Sequence, residues 1–196
     1  MTHIENIPHI LAHGITHIHS KNANKDYSPI GDGSLINTRH NIKLPNKDLL
    51  GDYTPFYFGT RMPMLFVIQK GYNGVTAKKP EDIVYCVSSV SRILESRLEF
   101  IFSDGHAVDG LSAFYDKEHI EQIEDIVEFK SVKVSYWKDE KDPDLKRKME
   151  AEFLVKDDIP ADAIAGYIVY NEAAKGKLIN MGIKEKIIVV RPNNYF

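Results

Sequence analysis

The chain has 196 residues, of which 43% are hydrophobic and 27% charged. That size and balance fit one globular domain that buries its own core and needs no disulfide or structural metal to fold. A net charge of −3 excludes a general basic coat for nucleic acid, and a single cysteine, Cys86, excludes both a disulfide framework and a Cys-based zinc site.

Asn6 or Ile7 opens a short helix with Pro8 in its first turn, where a missing N–H is harmless. Ile7, Ile10 and Leu11 form its apolar face, and Gly14 is expected to end it in the left-handed conformation. Residues 19–51 read as a long loop in which Ser, Asn, Asp, Gly and Pro recur; loops of that length are usually functional or mobile. Tyr53 to Phe58 is aromatic and extended, and Met62 to Gln69 helical. Ile83 to Val90 is the best strand, and Ser89 is placed to cap a helix over Val90 to Ser96. Glu99 to Phe102 is a short strand before a turn at Ser103-Asp104-Gly105. His119 to Val127 is an acidic helix, Val132 to Trp137 a strand or a helix, and Asp142 to Met149 a charged helix. Glu152 to Val155 reads as a buried strand with an acidic first residue. A helical turn at Pro160 to Ala165, a strand at Tyr167 to Tyr170, a helix at Glu172 to Met181 and a strand at Ile187 to Val190 complete the chain. The mixture lacks a regular βαβ rhythm and predicts an α+β fold in a single domain over residues 1–196.

No apolar run reaches the ~18 residues of a membrane span, and the first fourteen residues lack the basic start and apolar core of a secretory leader. With the lone cysteine, this predicts a cytoplasmic protein with no membrane contact. The charge is uneven: residues 39–97 carry nine basic against five acidic side chains, and residues 113–131 two against six. A basic middle suits a phosphate backbone, although two ordinary solvated faces give the same count. His9, His13 and His17 are spaced for zinc on a continuous helix, but Gly14 interrupts it and no HExxH occurs, so no metal is expected. No phosphate-binding glycine motif and no GxSxG elbow is present. Cys86, inside an apolar strand, reads as a small buried residue rather than a nucleophile.

Three clusters stand out: Gly51-Asp52-Tyr53-Thr54-Pro55-Phe56-Tyr57-Phe58 with the following Arg61-Met62-Pro63-Met64-Leu65, the turn Ser103-Asp104-Gly105-His106-Ala107, and Lys146 to Val155, where a charged helix runs into a strand headed by an acid. In this order they resemble the DarT family of bacterial DNA ADP-ribosyltransferase toxins. The resemblance covers nearly the whole chain. It starts at Thr2-His3-Ile4-Glu5-Asn6-Ile7 and continues through Arg39 in LINTRHNIKLP, GDYTPFYF, DIVYCVSSV, SDGHA and KRKMEAEFLV to the tail Arg191 to Phe196. Arg61-Met62-Pro63 stands where the family has RSP, and Thr54 where it has valine. The family's first histidine falls before Met1, which predicts a late start or a truncation.

The resemblance implies a compact ADP-ribosyltransferase fold, with short mixed strands around a central NAD cleft. It also implies transfer of ADP-ribose from NAD to a base of single-stranded DNA. The aromatic PFYF and PML segments look like the thymidine branch of the family; guanosine, RNA, plain NAD hydrolysis and a non-catalytic single-strand-binding module are the alternatives. By the same resemblance, Glu152 matches the catalytic glutamate, which stabilises positive charge on the ribose and helps take a proton from the attacking base. Arg39 matches a loop arginine that acts on NAD phosphate or the base carbonyl, and it is expected to close over NAD. His3 and Asn6 fall on the adenosine or ribose side of NAD, Tyr57 and Met64 at the nicotinamide, and His106 at the nucleotide. Lys43, Lys47 and Arg92 are expected along the DNA. With the strand starting at Glu152, Glu150 lies on the preceding charged segment and need not face NAD. A macrodomain antitoxin, DarG, is the implied partner, and a monomer the expected state.

Overall fold

The computed structural model describes residues 1–196. Its strands are β1 (Thr2–His3), β2 (Tyr53–Tyr57), β3 (Ile83–Val87), β4 (Phe100–Ser103), β5 (Phe114–Tyr115), β6 (Glu152–Lys156), β7 (Gly166–Val169) and β8 (Ile188–Val190). Its α-helices are α1 (Ile7–His13), α2 (Gly33–Arg39), α3 (Pro63–Lys70), α4 (Val90–Glu95), α5 (Ile123–Ile126), α6 (Phe129–Val132), α7 (Leu145–Met149) and α8 (Glu172–Asn180). The class is α+β, with two four-stranded sheets. The chain divides into two units. One comprises Met1–Asp32, Leu65–Leu98 and Asp157–Phe196, the other Gly33–Met64 and Glu99–Lys156, and each holds one of the sheets.

In the first unit the strand order is β1-β3-β7-β8. The β-branched start of β3 is fully buried at Ile83 and Val84. β7 and β8 pair in parallel and are joined through α8, so one βαβ crossover exists where the sequence showed no such rhythm. That helix is fixed by burial of Ala174 and Leu178 in a core with Ile4, Ile7, Val84, Val169 and Ile188. Its start is fixed by Asn171, whose side chain accepts from the Ala174 N–H at 2.9 Å. Gly14 ends α1 as expected, but with φ 81° and ψ −169° it is not left-handed helical. Few residues other than glycine reach that conformation, and a Cβ there would strike the Ile159 carbonyl, to which Ile15 donates at 2.8 Å.

In the second unit the order is β2-β6-β4-β5, antiparallel throughout. β6 lies between β2 and β4, and its residues Glu152 to Val155 are all buried. The acid that heads β6 is therefore an interior residue, opposite Tyr57 in the ladder. β2 is an edge strand, which is why Pro55 is tolerated opposite Leu154. Phe100 and Phe153 stack across the sheet at 4.8 Å between centroids, and Phe58 meets both Phe129 and Phe153 edge-on.

Three expectations change. The loop predicted over residues 19–51 contains α2, none of whose seven residues is buried. Side-chain bonds support it, from Thr38 to the Ser34 carbonyl and from Asn41 to the Asn37 carbonyl, both at 2.9 Å. Residues 133–137 are irregular, the preceding helix α6 ending at Val132. The acidic helix is a 3-10 segment, Lys117–Gln122, capped by Asp116 and followed by the single turn of α5. No helix is long and apolar enough to cross a membrane.

Candidate active site

Glu152 is 0% exposed, and both of its oxygens are held. Oε2 accepts from Arg39 Nη1 at 2.8 Å, and Oε1 accepts from the Ala107 N–H at 3.0 Å. The Glu152 N–H is directed at Ser103 Oγ, 3.3 Å away. A carboxylate fixed this way in a water-poor interior has a defined orientation and a strong local field, and it can stabilise positive charge that develops beside it.

Arg39 is the last residue of α2, and its side chain is 12% exposed. One guanidinium nitrogen holds Glu152. The other, Nη2, is buried and has no hydrogen-bond partner. An unpaired buried donor is costly, and beside a carboxylate it is a ready contact for a ligand oxygen.

The Ala107 N–H is aimed by a stapled turn. Arg147, on α7, grips Asp144 through Nε and Nη2 at 2.7 and 2.8 Å and reaches Asp104 through Nη1 at 2.9 Å. Its carbonyl accepts from the His106 N–H at 2.9 Å, and Ser112 Oγ donates to the His106 carbonyl at 2.8 Å. Gly105 lies under this guanidinium, where a Cβ would collide with Arg147 Nη1 and crowd Ser112. Gly105→Ala is therefore expected to dislodge the staple and move Ala107 off Glu152. The expected cost is about 1–3 kcal/mol of stability with a larger proportional loss of activity. Thermal melts and initial rates on one preparation check this, and an alanine variant with wild-type rates would show the staple to be dispensable.

His106 Nε2 is 4.0 Å from Glu152 Oε1. Burial lowers its pKa, and the Glu152 charge offsets this only in part, so the ring is held neutral. The Tyr57 phenol is kept well above its usual range, first by burial and then by the Glu152 charge, and its hydroxyl lies 4.0 Å from Met64 Sδ. Arg39, Tyr57, Met64, His106 and Glu152 thus belong to one unit and one neighbourhood. Lys43 and Lys47, both exposed, follow Arg39 in the same unit.

The other candidates sit in the first unit. His3 is buried, and its Nδ1 accepts from the Glu5 N–H at 3.3 Å. Asn6 is 1% exposed and donates to Thr2 Oγ1 and the Ser28 carbonyl at 3.0 and 2.8 Å. Its Oδ1 accepts from the Ser28 N–H at 2.8 Å, so its amide pins the segment around Ser28 to α1's approach. Arg92 is exposed on α4 and donates to the Asp162 carbonyl at 2.9 Å. Cys86 carries a free thiol pushed up to about 11 by burial. No three His, Cys, Asp or Glu side chains converge as a metal site would require.

Sequence reasoning missed the Ala107 N–H, the Arg147 staple and the burial of Glu150. Glu150, on the charged segment before β6, is only 6% exposed, because α7 ends at Met149 and turns inward through the buried Ala151.

A family model described as "DarT: ssDNA thymidine ADP-ribosyltransferase, DarT" matches residues 1–196. A DNA ADP-ribosyl transferase of Thermus sp. (strain 2.9) is 33% identical over 178 residues, covering 88% of this chain and 80% of that one. Thermus sp. 2.9 DarT in complex with ADP-ribosylated ssDNA matches with a TM-score of 0.84 at 27% identity, over 100% of this chain and 93% of that one. The same protein in complex with NAD+ matches with a TM-score of 0.76 at 27% identity, over 100% and 94%. A DNA ADP-ribosyl transferase-DNA ADP-ribosyl glycohydrolase fusion protein of Thermosipho africanus (strain H17ap60334) is 28% identical over 198 residues, spanning 100% of this chain and 48% of the fusion.

Proposed function

The chain belongs to the DarT family of single-stranded DNA ADP-ribosyltransferases, and from that premise we propose that it moves ADP-ribose from NAD onto thymidine, as the toxin of a toxin–antitoxin pair. The observation that carries this is the buried Arg39–Glu152 pair, with a backbone N–H on the second carboxylate oxygen. Glu152 holds the nicotinamide ribose and stabilises the positive charge that grows on it as the glycosidic bond to nicotinamide breaks. Arg39 offers its spare Nη2 to a carbonyl of the base or a phosphate oxygen of NAD. Tyr57 and Met64 line the nicotinamide side, and neutral His106 meets the nucleotide. His3 and Asn6 serve the adenosine or ribose side. Residues 1–196 act as one transferase domain and as a monomer. The free thiol of Cys86 supports a cytoplasmic location. The Thermosipho fusion supports a DarG-like macrodomain antitoxin that removes the modification as the partner.

The test is mass spectrometry of short oligonucleotides, each lacking one base, after incubation with NAD. Single strands that contain thymidine should gain one ADP-ribose, and thymidine-free strands none. Duplexes should react poorly, because extruding a paired base costs a few kcal/mol. Labelling of thymidine-free strands would overturn the base assignment, and no labelling of any strand would overturn the reaction.

Lys43, Lys47 and Arg92 are assigned to the DNA backbone. Each phosphate they neutralise should contribute about 0.7 to the slope of log affinity against log salt for a single strand. Lys43→Gln with Lys47→Gln should lower that slope by about 1.4. A slope unchanged in this double variant would return both lysines to the solvated surface.

A further inference from the structure

The ladder between β4 and β6 ends one residue short of the site, its last pair being Phe102 with Phe153. The next N–H on β6, that of Glu152, donates to a side chain, Ser103 Oγ, at 3.3 Å. Ser103 is 0% exposed, and its hydroxyl donates in turn to the Gly105 carbonyl at 2.6 Å, a short O–H···O bond. Two residues further on, the Ala107 N–H reaches Glu152 Oε1 at 3.0 Å. A closed circuit therefore runs from the Glu152 main chain, through the Ser103 hydroxyl and the 103–107 turn, to the Glu152 carboxylate. All of it lies within the second unit.

A carboxylate on a three-torsion side chain is aimed only when its backbone and its partners are fixed relative to each other. Arg147 ties the turn to α7, through Asp104 and the His106 N–H. Ser103 ties the same turn to the strand that bears Glu152. Resting on the reading of the site as an ADP-ribosyltransferase, we propose that Ser103 is a positioning residue. Its hydroxyl sets the spacing between the turn and the head of β6, and so fixes the direction in which the Glu152 carboxylate faces NAD. A hydroxyl is the group the place requires, because one atom must accept from an N–H and donate to a carbonyl; threonine can do both and alanine neither. Without it, the Glu152 N–H and the Gly105 carbonyl lose these partners. Buried groups left unpaired are costly, and the turn and strand are then free to shift against each other. A displacement of about 1 Å at a reacting centre costs on the order of 10²-fold in rate.

The test uses the whole chain and four variants. Ser103→Ala should transfer ADP-ribose to a thymidine-containing single strand about 10–10²-fold more slowly. The loss should fall on kcat, with the KM for NAD changed by less than about threefold. Ser103→Thr should recover most of the rate. Placed in a Glu152→Gln background, Ser103→Ala should cost less than about a further threefold, because a residue that acts through the carboxylate has nothing to position once that group is gone. Asn171→Ala is the control for instability alone: it removes the cap of α8 in the first unit, and it should lower the melting temperature while keeping the wild-type rate. Amide exchange supplies a readout without substrate, in which the Ala107 N–H should lose protection in Ser103→Ala and keep it in Ser103→Thr.

A wild-type rate in Ser103→Ala would overturn the proposal, and so would an Ala107 amide equally protected in that variant. Full additivity of Ser103→Ala with Glu152→Gln would reduce Ser103 to a structural residue. Should the extra methyl of threonine overpack the site and lower the melting temperature, the double variant and the exchange decide. A wild-type chain that labels no strand would overturn the transferase reading itself, and the proposal with it, whereas the outcomes above overturn the proposal alone.

Discussion

Glu152→Gln should lower the rate of transfer to single-stranded DNA by about 10³-fold, the scale lost when one preorganised electrostatic group is removed. In the role proposed for it, the carboxylate acts on charge that appears only as the bond to nicotinamide breaks, so the loss should fall on the transition state and NAD affinity should hold. Glutamine is the better probe than alanine. With Glu152 fully buried against Arg39, truncation would strand a guanidinium in the interior, at about 3–5 kcal/mol. Glutamine keeps an oxygen that accepts from Arg39 or from Ala107. Single-turnover transfer, calorimetric titration with NAD and a thermal melt, read together, decide the matter. A glutamine variant within tenfold of the wild type would remove Glu152 from the chemistry.

Arg39 should show two separable losses. Arg39→Ala removes the counter-charge from a carboxylate with 0% exposure and leaves that buried charge unpaired. The expected fall in rate is about 10³-fold or more. Arg39→Lys restores a positive charge but not the fork, so no equivalent of the spare Nη2 remains. Its expected loss is about 10²-fold, near the cost of one charge-assisted hydrogen bond in a dry site. Equal rates in the alanine and lysine variants would show that the second nitrogen carries the whole effect. A lysine variant at wild-type rate would show that charge alone suffices.

The legible parts of the fold are those where local chemistry and tertiary packing agree. The run from Ile83, the Ser89 cap, the Glu152 strand and the helix after Asn171 all form where their residues direct. α2 was hidden because Gly33, Ser34, Asn37 and Thr38 are poor helix formers, and no buried face produces a period. β1 and β5 have two residues each, too few for alternation to register. At the site, the side chains of Arg39, Tyr57, His106 and Glu152 were visible through motif order. The Ala107 N–H was not, because every residue has an amide and only the staple from Arg147 aims this one. Glu150 reads as one more charge in KRKME, and its burial depends on the turn that follows α7.

The Arg39–Glu152 contact joins residues 113 positions apart, and five chain segments alternate between the two units. Closing so long a loop is entropically slow, and non-local pairings of this kind delay folding. During synthesis α2 emerges long before β6, its partner for Arg39 still unmade, and β2 must wait for the same strand to complete its ladder. A ribosome-bound chain short of Lys156 therefore has no assembled site, whatever length of it has already folded. Translation itself times the assembly of the site, and an incomplete product released by premature termination before β6 lacks the Glu152 carboxylate altogether.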